Sequence, residues 1–249
     1  MTKTKSIPHG VHLILQGKGG VGKSFISALL SQFFQEKQVD LTCFDTDPVN
    51  QTFKSYKQLN VKHIDLIRDN RINEKSFDTL IEHLLTERRT YVVDNGASSF
   101  VPLCSYLDEN EIFSVLNDAE IPVYIHCIVT GGQGLLDTMS GFNALAGMTS
   151  SKNIVLWKNE FQGEIVVDGK DLEDMKVFIE NKDKVYGIVT VKKRNQDTFG
   201  DDLQKLLSEK LTFDEGIKSD KFSIMAKQRL KVIQRDIFTQ LESLEFCYG

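Results

Sequence analysis

Short apolar runs alternate with longer stretches of helical period along most of this chain. The run within "GVHLILQG" predicts a first strand over residues 11–16. "KSFISALLSQFFQEK" then places Phe25, Ala28, Leu29, Phe33 and Phe34 at helical spacing. "VDLTCFDTDP" reads as a second strand at about 39–45, stopped by Pro48. "INEKSFDTLIEHLLTERR" gathers Phe77, Leu80, Ile81, Leu84 and Leu85 on one side of a helix. "YVVDNG" is a strand ending at Asp94, and "IPVYIHCIVTGG" is another. "QGLLDTMSGFNALAGM" predicts a helix and "NIVLWKN" a further strand. Near 161–171 the alternation breaks, and Asp168-Gly169 predicts the turn of a small hairpin. Toward the end, Leu230, Ile233, Ile237, Leu241 and Leu244 form one helical stripe.

Strands alternating with helices, several of them continuously apolar, predict an α/β fold with a mainly parallel sheet covered on both faces. No repeat, low-complexity stretch or linker divides residues 1–249, so a single domain is expected. Ligands of such sheets bind beyond the carboxyl ends of the strands. Gly17, Asp45, Asp94, Thr130 and Asn159 all fall at or just past those ends.

Composition narrows the class without changing that picture. The chain is 41% hydrophobic and 26% charged, as soluble globular proteins are. No run approaches the ~20 apolar residues of a membrane-spanning helix. A net charge of −5 argues against a general nucleic-acid binder. The basic start "MTKTKSIPHG" lacks the apolar core of a secretory signal. Cys43, Cys104, Cys127 and Cys247 are widely separated and read as thiols of a reducing compartment, which makes a cytoplasmic protein the expectation. The histidines, at 9, 12, 63, 83 and 126, show no metal-ligand spacing.

The chemistry starts at "GKGGVGKS", Gly17 to Ser24, which fits the phosphate-binding pattern G-x-x-x-x-G-K-[ST]. Glycines 19, 20 and 22 free the backbone to turn its N–H groups inward on a polyphosphate, and the following helix adds its positive end. Lys23 then reaches the outer phosphates and Ser24 holds magnesium. The expected nucleotide contacts run from Gly17 through Lys18, Gly19, Gly20, Val21, Gly22, Lys23 and Ser24 to Phe25. Asp45 and Asp47 follow the second strand, where a carboxylate orients the attacking water or holds a magnesium-bound one. Asp94 ends its apolar strand as a carboxylate acting on magnesium does. Asn159 is the candidate for hydrogen-bonding the base. No guanine-specific N-K-x-D is present, so adenine, and hence ATP, is favoured.

Lys18 is a second lysine beside the same phosphates. Lys18 to Ser24, K-G-G-V-G-K-S, is the deviant form of the phosphate loop, and here the chain resembles the ParA/MinD group of ATPases. The resemblance implies that Lys18 reaches across a nucleotide-dependent homodimer to the partner's ATP and that Asp47 positions the water. It also implies a first switch at Asp45-Thr46-Asp47-Pro48. Four blocks, "VTGGQGLLDTMSGF", "DNGASSFVPL", "LTFDE" and "IMAKQRLK", are similar to a family of conjugal transfer proteins of self-transmissible plasmids. That similarity implies a protein partner in the transfer apparatus. Nitrogenase iron proteins share the deviant loop but carry a cluster-binding cysteine three residues after the strand-ending aspartate; Ala97 stands there, which excludes that reading.

Two readings of the activity stand side by side: an ATP-hydrolysing switch, and a nucleotide-binding scaffold with negligible turnover. Lys227, Arg229, Lys231 and Arg235 flank the last apolar stripe, but Glu242 and Glu245 weaken it as a membrane-binding face. Lys192-Lys193-Arg194 reads as a solvated turn and not as a nucleic-acid contact.

Overall fold

The computed structural model describes residues 10–69 and 71–246. The basic start, His9 and Cys247 lie outside the described residues. In chain order, β1 (Val11–Leu15), α1 (Lys23–Glu36), β2 (Leu41–Asp45) and β3 (Lys62–His63) come first. A small hairpin of β4 (Ile67–Arg68) and β5 (Arg71–Ile72) leads into α2 (Ser76–Thr86) and β6 (Thr90–Asp94). Next are α3 (Phe100–Glu109), α4 (Ile112–Asp118), β7 (Val123–Thr130), α5 (Leu135–Met148) and β8 (Ile154–Asn159). A second hairpin, β9 (Val166–Val167) and β10 (Lys170–Asp171), precedes α6 (Lys176–Asn181) and β11 (Val185–Val191). The last helices are α7 (Asp201–Ser208), α8 (Phe213–Lys218) and α9 (Ile224–Ser243).

Seven parallel strands form the main sheet in the order β11-β8-β7-β1-β6-β2-β3. β1 is central and every one of its residues is buried, which is why it reads as a continuous apolar run. One core packs Leu80, Leu103, Leu116 and Phe142 against one face of the sheet. The other packs Leu29, Phe33, Leu206, Leu230 and Ile237 against the opposite face. Leu230, Ile233, Ile237 and Leu241 are buried, so the stripe of α9 is committed to the protein's own core. Leu85, grouped by spacing with the buried side of α2, is instead 39% exposed.

Several elements escape the periodicity reading. β11 pairs along β8 from Val185 to Val191 but contains Gly187, where an added Cβ would come within 2.2 Å of Leu244 Cδ2. The close approach of α9 demands glycine there and hides the strand's pattern. The turn α7–α8–α9 is set by side-chain caps. Thr212 and Glu215 form a reciprocal capping box at α8, and Ser223 accepts from Ala226 N at α9. The basic run after β11 is paired: Lys192 and Arg194 bond to Asp236, and Lys193 to Glu164.

Candidate functional site

The turn from β1 into α1 is built by its glycines. Gly20 and Gly22 lie in the left-handed region, with φ of 75° and 99°. Beside Gly20 no atom stands within 4 Å of where a Cβ would be, so the backbone faces open space. Beneath the loop, Gln16 anchors the end of β1 by donating to the carbonyls of Ile128 and Thr138, at 2.7 and 3.1 Å.

A cleft of about 510 Å³ opens over this loop. It is lined by Gly19, Gly20, Gly22, Lys23, Ser24 and Phe25 on one side. Asp47, Val49, Asn50, Thr52 and Tyr56 form a second side, Ala97 and Ser98 a third, and Leu207 and Lys210 the last. Lys23 is buried, and its Nζ donates to the carbonyl of Lys18 at 2.8 Å. Burial lowers its pKa, against the opposing pull of Asp94 and Asp47.

Asp94 lies under the loop, 2% exposed. Burial is the main cause that pushes its carboxyl up to about 7; the Ser24 and Ser27 hydroxyls and the Lys23 ammonium act the other way. Ser27 Oγ donates to Asp94 Oδ1 at 3.0 Å. A carboxylate so placed is short of positive charge, which a bound cation would supply. Among the described residues, no group of three or more His, Cys, Asp or Glu side chains is arranged to hold a metal ion alone. That suits magnesium, which takes one or two protein ligands and completes its shell with water and substrate phosphates. Ser24 and Asp94 fit that role.

The two aspartates after β2 differ. Asp45 is fully buried, and its oxygens accept from Asp47 N and Lys54 N, both at 2.9 Å. Burial raises its pKa while those bonds lower it. Asp45, expected beside magnesium, braces the backbone of the following loop through these bonds and, like Asp94, lies beneath the cleft and not in its lining. Asp47 does face the cleft. Its Oδ1 accepts from Val49 N and Asn50 N at 2.8 and 3.0 Å, and Oδ2 has no bond among the described residues.

Asn159 is likewise engaged within the protein. Its Nδ2 donates to the Val21 carbonyl at 2.9 Å, and its Oδ1 accepts from Phe161 N at 3.3 Å. The side chain is 4% exposed and stands outside the cleft lining, so it holds the loop where base contact was expected. Gln162 adds a bond from Nε2 to the Gly20 carbonyl at 2.9 Å. Two adjacent loop carbonyls, of Gly20 and Val21, are thereby engaged by side chains at and just beyond the end of β8. Thr130 is buried and donates to the Asn159 carbonyl at 3.0 Å. Lys18 lies outside the lining, paired with Asp137 of α5 at 2.7 Å.

Periodicity and motif missed three contributors. Asn95 Oδ1 accepts from Thr46 Oγ1 and Ser99 Oγ, at 3.1 and 2.8 Å, tying the ends of β2 and β6 together. Gly96 lets Asp47 approach; an added Cβ would stand 2.7 Å from Asp47 Cγ and Oδ1. Tyr56 is buried in the cleft wall. The dipeptide Asn95-Gly96 straight after Asp94 was the available signal for the first two.

Residues 12–230 match the family described as the CobQ/CobB/MinD/ParA nucleotide binding domain. Protein TraL of Escherichia coli is 43% identical over 234 residues, covering 94% of this chain and 97% of that protein. The MinD cell division protein of Aquifex aeolicus superposes with a TM-score of 0.53 at 15% identity, over 94% of this chain and 97% of that one. A plasmid partition protein of Borrelia burgdorferi B31, bound to AMPPNP, gives 0.51 at 15% identity, over 94% and 99%. The parallel sheet agrees with these matches: the chain belongs to the CobQ/CobB/MinD/ParA nucleotide-binding family and within it is similar to TraL.

Proposed function

We propose that this protein is an ATP-hydrolysing nucleotide switch acting in plasmid conjugal transfer. The observation that carries the reading is the meeting of Lys23, Ser24 and Asp47 in the lining of one glycine-rich cleft, with Asp94 buried beneath it against the Ser24 hydroxyl. Lys23 would exchange its bond to the Lys18 carbonyl for the outer phosphate oxygens. Ser24 and Asp94 would hold magnesium, whose chemistry there is to neutralise phosphate charge. Asp47 lines the cleft with Oδ1 fixed by two backbone N–H groups, and its unbonded Oδ2 would be the acceptor that orients water. The missing guanine motif supports ATP over GTP.

Exposed apolar side chains at the same edge support a partner copy. Val49 is 71%, Val101 68% and Leu136 75% exposed, and Leu136 adjoins the Asp137 that holds Lys18. The similarity to TraL supports a role beside the transfer apparatus. The test is phosphate release from ATP and magnesium by purified protein, with Lys23→Ala as control. Turnover above that control is expected. Tight ATP binding with no turnover would put the scaffold reading in its place.

A further inference from the structure

We propose that Lys210 is an additional nucleotide-binding residue, contacting the phosphate chain from the turn between α7 and α8. The inference rests on the nucleotide reading of the cleft. Lys210 lines that cleft together with the glycine loop, is half-buried, and has no side-chain bond or ion pair among the described residues. Its neighbours contrast with it. Lys205 donates to the Lys221 carbonyl, Lys218 pairs with Asp214, Lys221 with Glu209, and Arg229 with Asp202. A half-buried lysine without a side-chain partner, in the lining of a polyphosphate cradle, has an anion as its natural complement.

The charge balance points the same way. Lys23, Asp47 and Lys210 are the charged side chains lining the cleft. Lys18 is already paired with Asp137. Without Lys210 the lining carries one cation and one anion, with the carboxyl of Asp94 just beneath. Lys210 gives the lining itself two cations against one anion and offsets the Asp94 carboxyl beneath, which favours a polyanionic ligand.

The turn that bears it is anchored on two elements of the site. Phe213 N donates to Gln32 Oε1 of α1 at 2.7 Å, and Thr212 Oγ1 bonds to Gln58 Oε1 beyond Tyr56. Lys210 N and Leu211 N bond back to the carbonyls of Leu207 and Leu206, at 3.2 and 3.1 Å. This closes α7 with Lys210 at φ 55°, a position that glycine fills most easily. A lysine stands there despite the backbone strain.

ATP affinity, measured with magnesium on the full chain, tests the assignment. Lys210→Ala should weaken binding roughly 5- to 20-fold, the loss of one charge-assisted hydrogen bond. Lys210→Arg should stay close to wild type, because it keeps the charge. Lys210→Gly relieves the strained backbone and should melt higher, yet bind as weakly as the alanine variant. If Lys210→Ala binds as wild type does, or Lys210→Arg is as weak as Lys210→Ala, the assignment is overturned. If wild type and Lys23→Ala bind ATP equally, the nucleotide reading fails instead, whatever Lys210 does.

Discussion

Strands β1, β7 and β8 carry polar groups in two places, and the groups are handled differently. Inside the sheet, Trp157 Nε1 donates to His126 Nδ1 and His126 Nε2 meets His12 Nδ1, both at 2.9 Å. An indole can only donate, so His126 must carry its proton on Nε2 and pass a hydrogen bond to His12. His12, His126 and Trp157 are at most 1% exposed, and aromatic rings of Phe34, Tyr124 and Phe246 enclose His12. Past the carboxyl ends, by contrast, Lys23 and Asp47 line an open cleft, with Asp47 Oδ2 unbonded and Lys23 holding a single carbonyl. Buried polar groups satisfied by one another specify a fold; those left with unfilled capacity at a cleft are available for chemistry.

The largest effect expected from this contrast is acid lability. Burial lowers the pKa of His12 from 6.5 to about 3 and holds His126 well below its usual range. Both are neutral when folded and free to protonate when unfolded. Their contribution is therefore intact above pH 6.5 and is lost as pH falls toward the folded value. His12 alone costs about 1.4 kcal/mol per pH unit below 6.5, and His126 adds a loss in the same direction. Urea unfolding at a series of pH values measures the slope. A double variant, His12→Phe with His126→Leu, should show a flatter slope in that window; an unchanged slope would assign the lability to carboxylates.

At the cleft end, Asp47→Asn should retain ATP affinity and lose turnover by roughly 10²- to 10⁴-fold, since a water-orienting group acts only on the way to the transition state. A parallel loss of affinity would give Asp47 a ligand-holding role. Gly96→Ala is a smaller perturbation of the same contact. The added methyl would displace Asp47 and is expected to cost about 1–3 kcal/mol, shared between stability and turnover. A variant with normal turnover and an unchanged melting temperature would mean that the Asp47 loop yields freely.

The contrast also explains what the sequence made legible. The alternation of apolar runs and helical stretches reveals the parallel sheet because strands covered on both faces must be apolar throughout. The loop from Gly17 to Ser24 is equally plain, since phosphate cradling restricts residue type at fixed spacing. The partners of side chains are not legible. Asn159 and Asp45 stand at strand ends as functional residues do, yet their bonds go to backbone groups brought near by the fold, Val21 O and Lys54 N. Lys210 and Gln162 reach the site from segments with no motif, through helix caps and a loop whose geometry depends on tertiary contacts.

Lys18 yields the smallest expected effect on stability and a decisive one on assembly. Its ion pair with Asp137 joins side chains that are 42% and 59% exposed. Exposed pairs contribute only about 0.2–1 kcal/mol, so Asp137→Ala should shift the melting temperature little. The same weakness makes the pair easy to exchange. A second ammonium beside Lys23 on one nucleotide would meet like-charge repulsion, whereas ATP on a facing subunit of the proposed dimer would offer Lys18 a stronger anion than Asp137. Lys18→Ala is thus expected to keep ATP binding but lose ATP-dependent dimerisation and turnover. Asp137→Ala is expected to dimerise as well as wild type or up to roughly fivefold better, the return of a pair worth at most about 1 kcal/mol. Sedimentation with ATP and magnesium distinguishes these variants. If Asp137→Ala fails to dimerise while wild type succeeds, Asp137 is part of the interface and no mere resting place for Lys18. If Lys18→Ala dimerises and hydrolyses ATP normally, the second lysine belongs to the fold, on the same footing as the paired histidines inside the sheet.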